Sequence, residues 1–160
     1  MNKVKIKDKT FEIMMPEAVI LAEIDKVAKR INEDMKDKNP IFLAVLNGSF
    51  MFASDLMKRV TIPCEISFVK LASYQGTTSS GEVIGINEDL SGRTVIIVED
   101  IIESGLTIKQ MKESLGTRNP AEVHICSLFV KPDRLQIPVD IDYGVINIGN
   151  KFILGYGLDY

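Results

Sequence analysis

The sequence predicts an α/β fold, with a mostly parallel central sheet flanked by helices, from two observations. Four aliphatic runs, at residues 41–46, 66–71, 94–102 and 123–130, are continuous rather than alternating, as in strands that are covered on both faces. Segments with helical periodicity separate most of these runs, and this alternation is typical of parallel strands joined by right-handed crossovers. The 160 residues contain no internal repeat and no long linker, so we expect a single domain over residues 1–160.

Two elements precede the first core strand. Apolar and polar residues alternate over 4–7 and 11–13, which predicts a peripheral hairpin with one buried face. Pro16 then fits the first turn of a helix, and apolar residues recur at helical spacing up to the breaker at 37–40. We therefore expect an amphipathic helix of about five turns, and a small flap built from the chain termini beside the main domain.

Two shorter helices are predicted between the core strands. One spans residues 49–60, with Ser49 as its N-cap. It is apolar on more than one face, which fits either deep burial or a subunit interface. The other spans residues 107–115 and is closed by Gly116.

Composition argues against several classes of protein. A net charge of −3 argues against a general nucleic-acid-binding surface, and no apolar stretch approaches the length of about 18 residues that a membrane span needs. The amino terminus lacks the apolar core of a signal peptide. Cys64 and Cys126 have no C-x-x-C spacing, so we expect reduced thiols in a cytoplasmic protein. His124 is the only histidine and lies inside an aliphatic run, so a structural role is expected for it rather than a zinc site or a catalytic triad.

The third aliphatic run ends in the most informative motif of the chain. Glu99 and Asp100 directly follow its four aliphatic residues at 95–98, and two carboxylates at the end of a buried strand cost desolvation unless hydroxyls, a metal or solvent satisfy them. Residues 104–107 then form a small-residue turn whose backbone N–H groups can point at one anion. The pattern predicts a site for a phosphorylated sugar, with the carboxylates on ribose hydroxyls and the turn on phosphate. An ordinary polar turn after a strand is the alternative.

The stretch Glu-Asp-Ile-Ile-Glu-Ser-Gly-Leu-Thr at residues 99–107 resembles the phosphoribosyl pyrophosphate motif of type I phosphoribosyltransferases, and most of all its hypoxanthine-guanine branch. The resemblance implies the type I phosphoribosyltransferase fold, with a hood or flap from the termini. It also implies transfer of 5-phosphoribosyl from phosphoribosyl pyrophosphate to hypoxanthine or guanine, giving IMP or GMP and pyrophosphate in purine salvage.

The same resemblance implies roles for the residues of this motif. Glu99 and Asp100 would hold the ribose hydroxyls, directly or through Mg²⁺. Glu103 stands where the family usually has aspartate, and would accept the N7 proton of the purine as the catalytic base. The residues that would bind the 5-phosphate are Ser104, Gly105, Leu106 and Thr107, with Leu106 in place of a frequent lysine or arginine.

Two further loops match parts of the family pattern. Asn47 and Gly48 follow the first core strand and by themselves fit a plain helix start. In the family, the matching loop binds pyrophosphate, contains a cis peptide, and usually has lysine where this chain has Asn47. Residues 73–81 contain no aliphatic side chain, which fits either a hairpin tip or an active-site lid. Ser73 and Tyr74 match the pair that begins the family's catalytic lid.

The purine side of the implied site comes from the last third of the chain. Lys131, taken alone, fits a solvated surface charge, but the matching lysine of the family donates to the exocyclic oxygen of a 6-oxopurine and so discriminates against adenine. Phe152 by itself fits the core of a last strand. The matching aromatic stacks on the purine, Ile153 reads the purine edge through its backbone, and Asp159 binds magnesium. Family members usually continue to an arginine beyond Asp159, so this domain is expected to end shortly before the family's usual carboxyl terminus.

Two other functions stay open at this point. An RNA-binding regulator that binds ligands on the same fold would keep the phosphate loop, although the acidic balance and the lack of an arginine-rich face count against it. A phosphoribosyltransferase that prefers xanthine or adenine would differ in the base alone, and Lys131 and Phe152 favour an oxopurine. The resemblance further implies a homodimer or homotetramer with no nucleic-acid or membrane partner.

Overall fold

The computed structural model describes residues 3–6, 9–12, 15–71, 83–149 and 156. Its strands and helices are β1 Lys3–Ile6, β2 Lys9–Glu12, α1 Glu17–Asp34, β3 Ile41–Val45, α2 Phe50–Met57, β4 Glu65–Leu71, β5 Val83–Ile84, β6 Thr94–Ile102, α3 Leu106–Gly116, β7 Glu122–Val130 and β8 Tyr143–Asn147. A short 3-10 helix, Pro132–Arg134, follows β7. Strands β1 and β2 pair antiparallel, which confirms the predicted hairpin.

The remaining strands form one sheet in the order β5-β4-β3-β6-β7-β8. All neighbouring strands are parallel except the short β5, which pairs antiparallel with β4. Strand β6 is central, between β3 and β7, so the carboxyl ends of these three strands meet at one edge. In an open parallel sheet this edge is where ligands bind. The predicted fold class, a mostly parallel α/β sheet flanked by helices, is confirmed.

Two apolar clusters cover the two faces of the sheet. Helices α1 and α2 pack on one face, where Ile96 and Val98 of β6 point. Helix α3 packs on the other face, where Val95 and Ile97 point. Because both faces of β6 are covered, both sets of alternate residues are apolar, and this explains the continuous aliphatic runs of the sequence.

Two predictions about elements were wrong in part, and two strands were missed. The run at 66–71 was expected to be a buried strand, but β4 lies near the sheet edge, and only Val69 of its residues is buried. Strands β5 and β8 were not predicted. Ser49 is the N-cap residue of α2, as expected, but its hydroxyl donates to the carbonyl oxygen of Val45 at 2.6 Å and makes no cap hydrogen bond. Ser49 already has a helical backbone conformation, so its side chain turns back to the preceding turn instead of forward to free N–H groups.

The start of α1, the cysteines and the histidine can also be compared with the predictions. Helix α1 follows Pro16 as expected. Cys64 and Cys126 are free thiols. His124 lies between two carboxylates, with Nε2 at 3.2 Å from Glu122 Oε1 and Nδ1 at 3.3 Å from Asp142 Oδ1, far along β7 from the sheet's carboxyl edge. None of the helices in the described segments combines the length and the hydropathy that a membrane span requires.

Candidate active site

Glu99 is the most unusual side chain at the carboxyl edge of the sheet. It is 7% exposed, and its Oε1 has no hydrogen-bond partner among the residues that the structure describes. Burial, and secondarily the negative charge of Asp100, raise the pKa of Glu99 to about 8. A buried acceptor without a donor costs free energy that a ligand hydroxyl or a cation can recover. Glu99 is therefore arranged to receive such a group.

The loop after β3 lies directly against Asp100. A Cβ atom added to Gly48 would stand 2.1 Å from Asp100 Oδ2, so only glycine allows this approach. Asp100 Oδ1 accepts the N–H of Ile101 at 2.8 Å, which fixes the carboxylate from its other side. The peptide between Leu46 and Asn47 is cis, as the resemblance implied. Asn47, Gly48 and the two acids of β6 thus come together at one edge.

The predicted phosphate-binding turn connects β6 to α3. Gly105 has a φ of +88°, which L side chains rarely adopt, and α3 begins at the next residue. The Ser104 hydroxyl oxygen accepts the N–H of Leu106 at 3.2 Å. The first N–H groups of a helix have no carbonyl partner within it and carry partial positive charge, so the turn can bind an anion.

A cleft of about 250 Å³ opens along this turn. The residues that line it are Glu99, Ile101, Ile102, Glu103, Ser104, Gly105, Thr107 and Ile108. Leu106 does not line the cleft, and its side chain is 46% exposed. A contact from Leu106 to a ligand in the cleft would therefore come from its backbone.

Lys131 and Glu103 form an ion pair beside the cleft. Lys131 Nζ lies 2.5 Å from Glu103 Oε1, and the lysine side chain is only 4% exposed whereas that of Glu103 is 51% exposed. The Lys131 N–H also donates to the carbonyl oxygen of Ile102 at 3.3 Å. The sequence alone favoured a solvated lysine. Parallel pairing of β6 with β7, in which Ile102 stands opposite Val130, brings this cation to the site instead.

One part of the site was missed by the sequence analysis. The segment 131–139, called the strap below, follows β7 and runs along the phosphate-binding turn. The Gln136 N–H donates to the carbonyl oxygen of Ser104 at 2.8 Å. Three aliphatic side chains of the strap face Gly105: Leu135, Ile137 and Val139. Their alternation in the sequence is the signal that was available, since it indicates an extended segment with one apolar face.

Five predicted site residues lie outside the described residues: Ser73, Tyr74, Phe152, Ile153 and Asp159. Near the last three, Tyr156 is described, and its hydroxyl hydrogen-bonds Asp55 on α2 and the Met51 carbonyl oxygen, the latter at 3.4 Å. Burial and the neighbouring Asp55 carboxylate raise the pKa of Tyr156. This position of the chain is thereby anchored on α2.

The chain is similar to proteins of known class over nearly its whole length. Residues 17–160 match the phosphoribosyl transferase domain family. The hypoxanthine phosphoribosyltransferase of Salmonella typhimurium is 39% identical, over 94% of this chain and 88% of that protein.

Solved structures agree with this match. A hypoxanthine phosphoribosyltransferase from Staphylococcus aureus superposes with a TM-score of 0.84 at 34% identity, covering 93% of this chain and 83% of that one. The Trypanosoma cruzi enzyme in complex with the product IMP superposes with a TM-score of 0.80 at 38% identity, covering 88% and 82%. The motif at the end of β6, the fold and these similarities lead to one conclusion: the chain belongs to the phosphoribosyltransferase family, in its hypoxanthine phosphoribosyltransferase branch.

Proposed function

We propose that this protein transfers the 5-phosphoribosyl group from phosphoribosyl pyrophosphate to hypoxanthine or guanine, giving IMP or GMP and pyrophosphate. The observation that carries the proposal is the convergence of three groups at the end of β6. A buried, unsatisfied carboxylate, a helix N-terminal turn and a lysine-carboxylate pair lie around one cleft. These are the groups that a ribose, a phosphate and a polar purine edge respectively require.

Glu99 and Asp100 would bind the two ribose hydroxyls. A hydroxyl donating to Glu99 Oε1 satisfies an atom that has no partner among the described residues. The 5-phosphate would bind at Ser104, Gly105 and Thr107 and at the backbone of Leu106, where the dipole of α3 favours negative charge. Gly48, which stands against Asp100, and Asn47 before it would face the pyrophosphate.

Lys131 and Glu103 would bind the purine. A 6-oxopurine offers an acceptor oxygen to the Lys131 ammonium, and Glu103 would accept the N7 proton as the new glycosidic bond forms. An adenine amino group in place of the oxygen would leave the buried ammonium facing another donor, which is strongly unfavourable. Phe152 would stack on the ring, Ile153 would read its edge, and the lid that begins at Ser73 and Tyr74 would exclude water from the reactive sugar.

The donor set of the site fits magnesium. Within the described segments, no group of three or more His, Cys, Asp or Glu side chains is arranged to hold a metal ion. Magnesium is commonly bound by one or two carboxylates together with substrate phosphates and water, and Glu99 and Asp100 supply such carboxylates, with Asp159 as a third candidate. When bound, the ion would neutralise and orient the leaving pyrophosphate.

Two further properties belong to the proposal. The free thiols of Cys64 and Cys126 support a reducing, cytoplasmic location. The half-exposed Phe50 of α2 and Phe68 of β4 support a homodimer or homotetramer, because large apolar side chains are often covered at subunit contacts.

The test supplies the purified protein with phosphoribosyl pyrophosphate and magnesium, and with hypoxanthine, guanine, xanthine or adenine in turn. Nucleotide formation from hypoxanthine or guanine is expected. Turnover with xanthine alone would make xanthine the substrate in place of hypoxanthine and guanine. Inertness toward all four bases, together with RNA binding, would favour the regulator and overturn the enzyme proposal.

Substitution of Lys131 tests how the base is selected. Lys131→Ala is expected to relax or abolish the preference for oxopurines, measured as the ratio of kcat/KM for hypoxanthine to that for adenine. Lys36→Ala, at an exposed lysine of the turn after α1, is the matched control. Retained selectivity in Lys131→Ala would assign it to backbone contacts instead.

A further inference from the structure

The strap contacts each residue from Ile102, the last of β6, to Gly105 of the turn. Lys131 bonds the Ile102 carbonyl oxygen and the Glu103 carboxylate, and Gln136 bonds the Ser104 carbonyl oxygen at 2.8 Å. Gly105 is then covered by side chains of the strap's second half. The strap therefore covers the predicted phosphate-binding turn at Gly105, which is buried.

The strap leaves no room for a side chain at position 105. A Cβ atom built on Gly105 would stand 2.7 Å from Val139 Cγ2 and 3.2 Å from Ile137 Cγ1, with Leu135 Cδ2 next at 3.6 Å. These side chains fill the space that a Cβ would occupy, so they pack against Gly105 from outside and restrict its movement out of the left-handed conformation. Leu135 and Val139 are in turn packed against the apolar cluster that includes Ile108 and Met111 of α3.

We propose that Val139, supported by Leu135 and Ile137, is a positioning residue for the 5-phosphate of the substrate. The proposal rests on the proposed function, since it concerns the same phosphate-binding turn. Val139 touches no phosphate itself. It fixes Gly105, and the conformation of Gly105 sets the direction in which the N–H groups at the start of α3 point.

Phosphate binding at the turn is sensitive to small displacements of its backbone N–H groups. Backbone N–H groups bind an anion well when they are held in place before it arrives, and a misplacement of about 1 Å can cost up to about 100-fold in rate. With a smaller side chain at position 139, the turn gains room to relax while Glu99, Asp100 and Lys131 keep their own contacts. The defect should therefore concern ligands that carry a 5-phosphate.

The experiment compares the affinities of GMP and guanosine, which differ by the phosphate alone, in the intact protein. The ratio of their dissociation constants measures how much the phosphate contributes. Val139→Ala is expected to reduce this ratio by about tenfold, with guanosine affinity unchanged and ribose 5-phosphate weakened equally. In steady-state kinetics, KM for phosphoribosyl pyrophosphate should rise more than kcat falls.

Two variants separate positioning from general packing. Ile141→Ala removes a side chain of the same apolar cluster that packs near Gly144 instead of Gly105, and should leave the ratio unchanged at a similar loss of melting temperature. Val139→Ile keeps both branches at Cβ and should restore the ratio. An unchanged ratio in Val139→Ala, or an equal fall in Ile141→Ala, would overturn the positioning role.

The outcome for the unmodified protein distinguishes the two proposals. If it binds neither GMP nor ribose 5-phosphate, the proposed function itself fails. If it binds GMP more tightly than guanosine and Val139→Ala preserves that difference, the function stands and the role of Val139 alone fails.

Discussion

Two glutamates of the central sheet, Glu99 and Glu122, lie at opposite edges and have opposite surroundings. Glu122 begins β7 at the amino edge, where its carboxylate accepts hydrogen bonds from Lys38 at 2.9 and 3.0 Å and from the Thr94 hydroxyl at 2.9 Å. These contacts, with that of His124, lower its pKa to about 2. Glu99, near the end of β6, has its pKa raised to about 8 by burial and by Asp100.

The contrast separates a carboxylate that stabilises the fold from one that is held ready for a ligand. Glu122 is ionised, and its carboxylate interacts with Lys38 from the turn after α1, with Thr94 of β6 and with His124 of β7. Glu99 has an oxygen with no partner among the described residues, at an edge that also gathers Gly48, Gly105 and Lys131. Local departures from full hydrogen bonding are expected at functional sites rather than elsewhere. The two edges should therefore respond differently to the same chemical change.

The largest effect is expected from Glu103→Gln at the carboxyl edge. Loss of the proposed base should lower kcat by about 10²- to 10⁴-fold, because glutamine keeps the size of the side chain but cannot take a proton. The affinity for phosphoribosyl pyrophosphate should change little. Glu113→Gln, at an exposed glutamate of α3, is the control. A single-turnover rate of nucleotide formation within a few-fold of that of the unmodified protein would remove Glu103 as the base.

Glu99→Gln should separate function from stability. Above pH 8, where the Glu99 carboxyl is ionised, the ribose hydroxyls would lose a charged acceptor, and since such a hydrogen bond contributes about 1.5–3 kcal/mol, affinity for phosphoribosyl pyrophosphate should fall by about 10- to 100-fold. The free energy of unfolding should stay equal or rise, because a neutral amide replaces a carboxyl whose charged form is disfavoured by burial. Calorimetric binding and denaturant unfolding measure the two quantities. Tight binding combined with a large loss of stability would assign Glu99 to the fold.

Local and non-local parts of the site differ in how far the sequence predicted them. The acids and the small-residue turn after β6 are contiguous, so the motif and its place at a strand end were readable from spacing and hydrophobicity. The pairing of Glu103 with Lys131 joins residues 28 positions apart and depends on the register of β6 with β7. The contacts of Val139 with Gly105 depend on the path of an irregular segment, which no periodicity specifies.

The errors in the elements have separate causes. Ser49 has the residue type of an N-cap, but the side chain bonds backward because the chain enters α2 already in a helical conformation. Strand β8 was missed since Tyr143–Asn147 contains a glycine and pairs through β7, not through its neighbours in sequence. The roles of Ser73, Tyr74, Phe152, Ile153 and Asp159 stay predictions of the resemblance.

Glu122→Gln should show the reverse of the Glu99 variant. Loss of the carboxylate weakens its bonds to Lys38 and Thr94, and the free energy of unfolding should fall by about 1 kcal/mol, a typical value for one partly exposed hydrogen-bonded pair. Activity should be unchanged, because the residue lies at the opposite edge from the cleft. A double-mutant cycle with Lys38→Gln isolates the pair. Equal stability of all four proteins would show that the network contributes nothing to the fold.

The two glutamates should also give stability profiles of opposite slope against pH, measured in magnesium-free buffer. For Glu122, the pKa falls on folding from the ordinary 4.5 to about 2, so its contribution is present above pH 4.5 and is lost as pH falls toward 2. For Glu99, the pKa rises on folding from 4.5 to about 8, so its contribution is present below pH 4.5 and is lost as pH rises toward 8.

Each profile is read as the difference in unfolding free energy between the unmodified protein and the corresponding glutamine variant. The difference for Glu122→Gln should shrink between pH 4.5 and 3, where Glu122 of the unfolded chain takes up its proton before the folded one does. The difference for Glu99→Gln should change between pH 5 and 8, in the direction that favours the variant as pH rises. If the two free-energy differences change with pH in the same direction, both carboxylates have equally favourable hydrogen bonding in the folded protein. The distinction between a structural edge and a ligand-binding edge would then be removed. Opposite slopes would show that the buried Glu99 carboxylate destabilises the folded protein, and that a bound ribose or cation can offset this free energy.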